Sequence, residues 1–210
     1  MAHRSRSDPE PTADGHATFL YLHGLNSSGR SQKATRLRER LAPIPVLAPD
    51  YPAHRPDEAI RLLSGYLDKL SEHTDPASFI LVGSSMGGFY GQFLATRYRI
   101  AHLFLINPAL TPWDLLADVQ GTVLTTADGD TYAITPAMIE ATRRYGLPDP
   151  CRGPRTPTTL FLDRGDELID YRIARDLYRG CARLMIFDGG DHAFQHLDEA
   201  IAVMAEQTRS

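Results

Sequence analysis

The run Phe79-Ile80-Leu81-Val82, followed at once by Gly83-Ser84-Ser85-Met86-Gly87, constrains this chain more than any other stretch. Four apolar residues without alternation read as a short strand buried on both faces. The pentapeptide has the pattern G-x-S-x-G, and the residues after it, Gly88 to Ala95, read as a helix. A strand that turns sharply into a helix needs small residues around the turn, because the backbone crowds itself there. Ser85 is then expected to stand exposed at the carboxyl end of a sheet, as a candidate nucleophile.

The remainder of the chain repeats this alternation. Apolar runs at Ala17–Leu22, Pro45–Ala48, Leu103–Ile106, Thr158–Leu162 and Leu184–Phe187 predict further strands. Helices are predicted over Gln32–Leu41, Pro56–Leu70, Met86–Tyr98, Tyr171–Arg179 and Asp198–Gln207. In the second of these, Ile60, Leu63, Leu67 and Leu70 recur at helical spacing behind a proline near the start. Strand and helix in alternation predict a parallel sheet covered on both faces. Right-handed crossovers bring the carboxyl ends of such strands, and the loops after them, to one edge.

One region interrupts the rhythm. Between Ile106 and Thr158 lie two β-rich stretches, Thr122–Thr126 and Thr131–Ile134, with Asp128-Gly129 between them. That arrangement predicts a hairpin. A helix is predicted over Pro136–Tyr145, and the proline-rich segment to Pro157 as a loop. The insertion, about residues 111–156, is expected to form a small cap. Its residues Trp113, Leu115, Leu116, Tyr132, Ile134 and Met138 either line an acyl pocket or form the cap's own core, and the second reading is slightly preferred.

A serine hydroxyl at neutral pH needs a base to take its proton, and the base needs a third group to fix its tautomer. The last two predicted strands run into Asp163-Arg164-Gly165-Asp166-Glu167 and Asp188-Gly189-Gly190-Asp191-His192. The chain order Ser85, Asp166, His192 is the serine, acid, histidine order of the α/β-hydrolase fold. Asp163, Glu167 and Asp170 compete for the acid's place. Asp166 is preferred because Gly165 lets the chain turn before it, while Leu168 and Ile169 can anchor the loop behind. His192 is preferred among the eight histidines. His54, His73 and His102 are expected at the surface or in loops. His192 and His196 lack the glutamate of an H-E-x-x-H zinc motif, so no metal is expected. Two oxyanion donors are still required, and the backbone N–H groups of Met86 and Leu25 are the candidates. Gly24 lets the loop after the first strand turn inward, and His23 is expected to support it.

The stretches Tyr21–Ser28 (Y-L-H-G-L-N-S-S), Gly83–Tyr90, Leu105–Ala109 (L-I-N-P-A), Gly165–Tyr171 (G-D-E-L-I-D-Y) and Gly189–Phe194 (G-G-D-H-A-F) resemble the YqiA/YcfP-like esterases of the α/β-hydrolase superfamily. The resemblance covers nearly the whole chain from about residue 17. It implies a carboxylesterase or thioesterase, with the nucleophile at Ser85, the acid at Asp166 and the base at His192. Met86 stands where a leucine is common in that family, which leaves a backbone donor undisturbed.

Composition sets the outer bounds. A chain of 210 residues is expected to be one domain over residues 17–210, behind a polar, disordered tail at residues 1–16. A net charge of −4 gives no electrostatic reason for a nucleic-acid partner. No apolar run approaches the ~20 residues of a membrane span, and no apolar leader is evident, so a cytoplasmic protein is expected. Cys151 and Cys181 are expected to be free thiols in a reducing cytosol. The expected substrate is a small acyl ester or thioester, with no cofactor. Acyl transfer to another acceptor is the nearest rival. A catalytically silent binding protein on the same fold is the rival from another class.

Overall fold

The computed structural model describes residues 17–152 and 155–208, so the predicted tail at residues 1–16 lies outside the described residues. Strands β1 (Thr18–Leu22), β2 (Val46–Leu47), β3 (Phe79–Ser84), β4 (His102–Ile106), β7 (Thr158–Asp163) and β8 (Arg183–Phe187) form one sheet in the order β2-β1-β3-β4-β7-β8. Every neighbouring pair in it is parallel. Helices α1 (Gln32–Leu41), α2 (Pro56–Ser71), α3 (Met86–Leu94), α6 (Tyr171–Leu177) and α7 (Leu197–Glu206) flank it.

Alternate strand residues feed two cores, because successive side chains of a strand point to opposite faces. Leu20, Leu22, Leu81, Leu103, Leu105 and Leu160 meet Leu63 and Leu67 of α2 and Phe89 and Tyr90 of α3. Phe19, Tyr21, Ile80, Val82, Phe104 and Phe161 meet Leu37 of α1 and Ile201 and Met204 of α7. Both sets are needed, which is why the central strands read as unbroken apolar runs. β8 is the exception. As an edge strand it is only half-buried, with Arg183 exposed.

Local chemistry sets the helix ends. Ser31 caps α1, its hydroxyl accepting from the Ala34 N–H at 3.3 Å. Thr135 does the same for α5 (Pro136–Arg143) through Met138, ahead of a proline at the first helical position. α3 is shorter than the sequence predicts, because the chain leaves the helix in successive turns from Ala95 to Tyr98. The Tyr98 hydroxyl then donates to Ser64 O and Asp68 Oδ1 on α2.

The insertion contains the hairpin, β5 (Val123–Thr125) antiparallel to β6 (Thr131–Ala133), and α5. It also contains a helix that the sequence pattern does not announce, α4 (Pro112–Asp118). Leu116, Ile134, Met138 and Ile139 make a separate small core there, with Trp113, Leu124, Tyr132 and Leu25 packed against it.

Two further expectations fail here. Cys151 and Cys181 are not free thiols: they form a disulfide, with Cα atoms 5.4 Å apart. The loop after α5 runs beside the turn between α6 and β8, a proximity that 30 residues of separation do not disclose. His102 is not a surface residue. It is buried in β4, stacked on Phe104 and hydrogen-bonded to Thr159 Oγ1 at 2.9 Å.

Candidate active site

β3 delivers Ser85 into an abrupt turn at φ 54° and ψ −121°, backbone angles that L-residues seldom adopt. The turn is held on both sides. The Ser85 N–H donates to Ile106 O at 3.0 Å, and the Gly88 and Ala109 N–H groups donate to Ser85 O at 2.9 and 3.1 Å. Any side chain at Gly87 would run into the backbone of Leu22, so the close approach of α3 to β1 requires glycine there.

Ser85, Asp166 and His192 meet at the carboxyl edge of the sheet. His192 Nε2 lies 3.0 Å from Ser85 Oγ. His192 Nδ1 lies 2.9 Å from Asp166 Oδ2 and 3.1 Å from Oδ1. The Asp166 side chain is 2% exposed and that of His192 20%. Burying a carboxylate is costly unless its oxygens are satisfied. The Leu168 and Ile169 N–H groups satisfy Asp166 Oδ1 at 2.9 and 2.8 Å.

The competing acids have other partners. Asp170 caps α6 through the Arg172 N–H. Glu167 Oε2 accepts the His192 backbone N–H at 3.0 Å. Asp163, fully buried, accepts from Gln195 N at 3.0 Å and contacts His196 Nδ1 at 2.7 Å. The neighbours of Asp166 match expectation in part. Gly165 lies in the turn just before Asp166, whose N–H donates to Asp163 O at 3.3 Å, and a Cβ there would also press on the Gly190 carbonyl. Ile169 anchors the loop from a buried position, whereas Leu168 is 60% exposed.

Asn107 supplies a further support that sequence reasoning missed. It stands at the end of β4, buried, with φ 39°. Its Nδ2 donates to Asp191 O at 3.0 Å, and its Oδ1 accepts from Asp163 N at 2.9 Å. One amide thus ties the end of β4 to the end of β7 and to the residue before His192. The asparagine of L-I-N-P-A was visible in the sequence as part of the resemblance, but nothing local to it announced this bridge.

The loop after β1 arrives from the other side. A Cβ on Gly24 would stand 3.1 Å from Ser85 Cβ, so this loop passes directly over the serine. His23 is buried and stacked on Tyr51, with ring centroids 4.2 Å apart. Its Nδ1 lies 2.9 Å from Gly24 O, which can only accept, so Nδ1 carries the proton. Burial lowers the imidazole's pKa and keeps the ring neutral. The Tyr51 hydroxyl donates to His23 O at 2.6 Å. Leu25 packs toward the insertion's core, and Tyr132 of β6 donates to Asn26 Oδ1 at 2.6 Å. Met86, the first residue of α3, is buried. Its N–H is one of the helix's first four, which lack an intrahelical acceptor.

Ser85 opens on a cavity of about 730 Å³. Among the described residues its walls come from the β1–α1 loop, α1, the turn at Ser85, and the loops after β7 and β8. Trp113, Leu115, Leu116, Tyr132, Ile134 and Met138 of the insertion do not line it; Leu116, Ile134 and Met138 belong to a core of their own, with Trp113 and Tyr132 packed against it.

The model of the uncharacterised protein family UPF0227 matches residues 18–207. The chain belongs to this family. The match agrees with the YqiA/YcfP-like resemblance read from the sequence. Solved structures carry the same fold. Est1E from Butyrivibrio proteoclasticus superposes with a TM-score of 0.74 at 16% identity, covering 93% of this chain and 90% of that one. Alpha/beta hydrolase domain-containing protein 10 from mouse gives 0.71 at 15% identity, covering 98% and 96%. The monoacylglycerol lipase of Paleococcus ferrophilus gives 0.68 at 18% identity, covering 91% and 95%. This member of UPF0227 therefore has the α/β-hydrolase fold. Among the described residues, no helix is long and apolar enough to cross a membrane.

Proposed function

We propose that this protein is a serine hydrolase that cleaves carboxylic esters or thioesters through an acyl-enzyme. The observation that carries the reading is the line from Ser85 Oγ through the His192 ring to Asp166, with contacts of 3.0 and 2.9 Å. The Ser85 proton passes to His192 Nε2 as Oγ bonds to the substrate's carbonyl carbon. The oxyanion accepts from the N–H groups of Leu25 and Met86. Loss of one such donor typically raises a barrier by about 2.7–4 kcal/mol. The protonated imidazole then gives its Nε2 proton to the departing alkoxide or thiolate. Water repeats the cycle on the acyl-enzyme, with His192 again as base, and Ser85 is released. Asp166 keeps its own charge throughout, holding Nδ1–H and stabilising the imidazolium. The names of the structural neighbours, an esterase domain from Rhodothermus marinus and a monoacylglycerol lipase among them, support the same class of reaction.

In this reading the insertion is a cap that steadies the oxyanion loop through Leu25 and Asn26, and the cavity beside α1 receives substrate. The test is Ser85→Ala on 4-nitrophenyl butyrate, alongside labelling of the wild type with a fluorophosphonate. The variant is expected to fold normally and lose on the order of 10⁴-fold or more in kcat, and the probe to label Ser85. Undiminished turnover would refute the assignment. Added alcohol or amine acceptors separate transfer from hydrolysis, and a folded protein that resists the probe would favour the binding reading.

A further inference from the structure

Lys33 is a cation in the Ser85 cavity that the proposed chemistry leaves unused. It occupies the second position of α1 and lines the same cavity as Ser85 and His192. The residue is half-buried. Among the described residues it has no carboxylate within ion-pair distance. Asp191, Asp163 and Asp166 act on it through space, while burial pulls its amine's pKa down. Each of those carboxylates has other contacts. Asp163 is taken by His196 and Gln195 N, Asp166 by His192 and two backbone amides, and Asp191 Oδ2 by Gln195 Nε2 at 2.7 Å.

The other charged groups on the wall are Arg36 and Glu167. Arg36 is bound by both oxygens of Asp198, at 2.9 and 2.7 Å. Glu167 carries the His192 backbone N–H. Its negative charge opposes an anion, so a ligand's anion is better placed toward α1. An ammonium partly removed from water, with no counter-ion in contact, gains most from an anion that a ligand brings. Leu25, Phe194 and Leu197 share the cavity and offer an apolar wall to a ligand's carbon chain.

We propose that the site selects esters carrying a carboxylate a few bonds from the scissile carbonyl, with Lys33 as the residue that binds the carboxylate. This rests on the reading of Ser85 as nucleophile.

The test compares matched esters on the wild type, Lys33→Met and Lys33→Arg. Mono-4-nitrophenyl adipate against 4-nitrophenyl hexanoate places the charge on the acyl side. 4-(Butanoyloxy)butanoate against pentyl butanoate places it on the alcohol side. The wild type is expected to favour the charged member of one pair by about tenfold in kcat/KM, Lys33→Met to abolish that preference, and Lys33→Arg to restore most of it. A wild type indifferent to charge in both pairs overturns the proposal. So does an equal loss on charged and neutral esters in Lys33→Met. That second result would mean Lys33 merely balances Asp191, whose Oδ1 is buried without a hydrogen-bond partner. Ser85→Ala run on the same esters separates the two readings. Its full activity would sink both, whereas its inactivity beside a charge-indifferent wild type sinks only this one. Calorimetry of monomethyl adipate against methyl hexanoate binding to the Ser85→Ala protein gives a readout without turnover, with the charged ester expected about tenfold tighter and the difference lost on adding Lys33→Met.

Discussion

Ser85 shows how a single residue carries the cost of an unusual backbone geometry. Its φ of 54° and ψ of −121° put an L-residue where strain of about 1–3 kcal/mol is usual. Backbone hydrogen bonds at its N–H and its carbonyl, and the neighbouring glycines, hold it there. Alanine keeps that strain and glycine relieves it, less the wider freedom glycine has when unfolded. Ser85→Gly is therefore expected to be more stable than Ser85→Ala by about 1 kcal/mol, read from urea unfolding midpoints, with both variants inactive. His102 makes a different residue-scale prediction. Burial lowers its pKa to about 4 in the folded protein, from the ordinary imidazole value of 6.5. The folded form thus binds fewer protons than the unfolded one as pH falls. Stability from this group is complete above about pH 6.5 and is lost progressively down to about pH 4. With screening near the strand's end allowed for, the loss is about 1–2 kcal/mol. His102→Gln can still bond Thr159 without titrating. It is expected to flatten the fall in melting temperature between those pH values, and an unchanged slope would count against His102 as its source.

At the scale of elements, the sheet was legible because its central strands are covered twice, leaving runs such as Phe79–Val82 with no polar residue to blur them. The three candidate triad residues were legible for a related reason. Each follows such a run, and in a parallel sheet the residues after the strands share an edge. α4 was hidden because seven residues opening on a proline carry too little periodicity to stand out. The contacts of Asp163 and Asn107 were hidden because they join loops that only the finished sheet brings together. The insertion gave the least away. Its apolar residues fit a pocket lining or a private core by pattern, with only a slight preference for the core, and packing distinguishes them. Packing also shows where the insertion touches the site, through Tyr132, which stacks on His54 at 4.2 Å and donates to Asn26. Asn26 has φ 57°, so the loop that carries Leu25 is held in a conformation that needs support. Tyr132→Phe removes the hydrogen bond and keeps the ring. It is expected to lower kcat by roughly three- to tenfold while leaving KM and the melting temperature nearly unchanged, since small displacements of a positioned donor cost rate more than stability. A parallel rise in KM would assign Tyr132 to substrate contact instead.

Across the whole molecule, five strand ends converge on one edge: β1 brings the loop of Gly24 and Leu25, β3 Ser85, β4 Asn107, β7 Asp166, and β8 His192. The last two contributions depend on loops near the sheet's exposed edge, where β8 is only half-covered. The Cys151–Cys181 disulfide bears on this weakness. It joins the end of the insertion to the turn before β8 and closes a stretch 30 residues apart that contains β7, Asp166 and α6. By the chain-entropy argument a loop of that length contributes about 3–4 kcal/mol through the unfolded state. For a protein of this size that corresponds to roughly 10 °C in melting temperature. Reduction is expected to lower the melting temperature by that order while leaving the rate at 25 °C almost untouched, because the strands, not the bridge, set the contacts of Ser85 and His192. A protein carrying both Cys151→Ser and Cys181→Ser should melt at the reduced temperature whether or not reductant is present. If that variant melts with the oxidised wild type, the bridge contributes nothing to stability, and the α6 edge is held by its packing against β7 and α3.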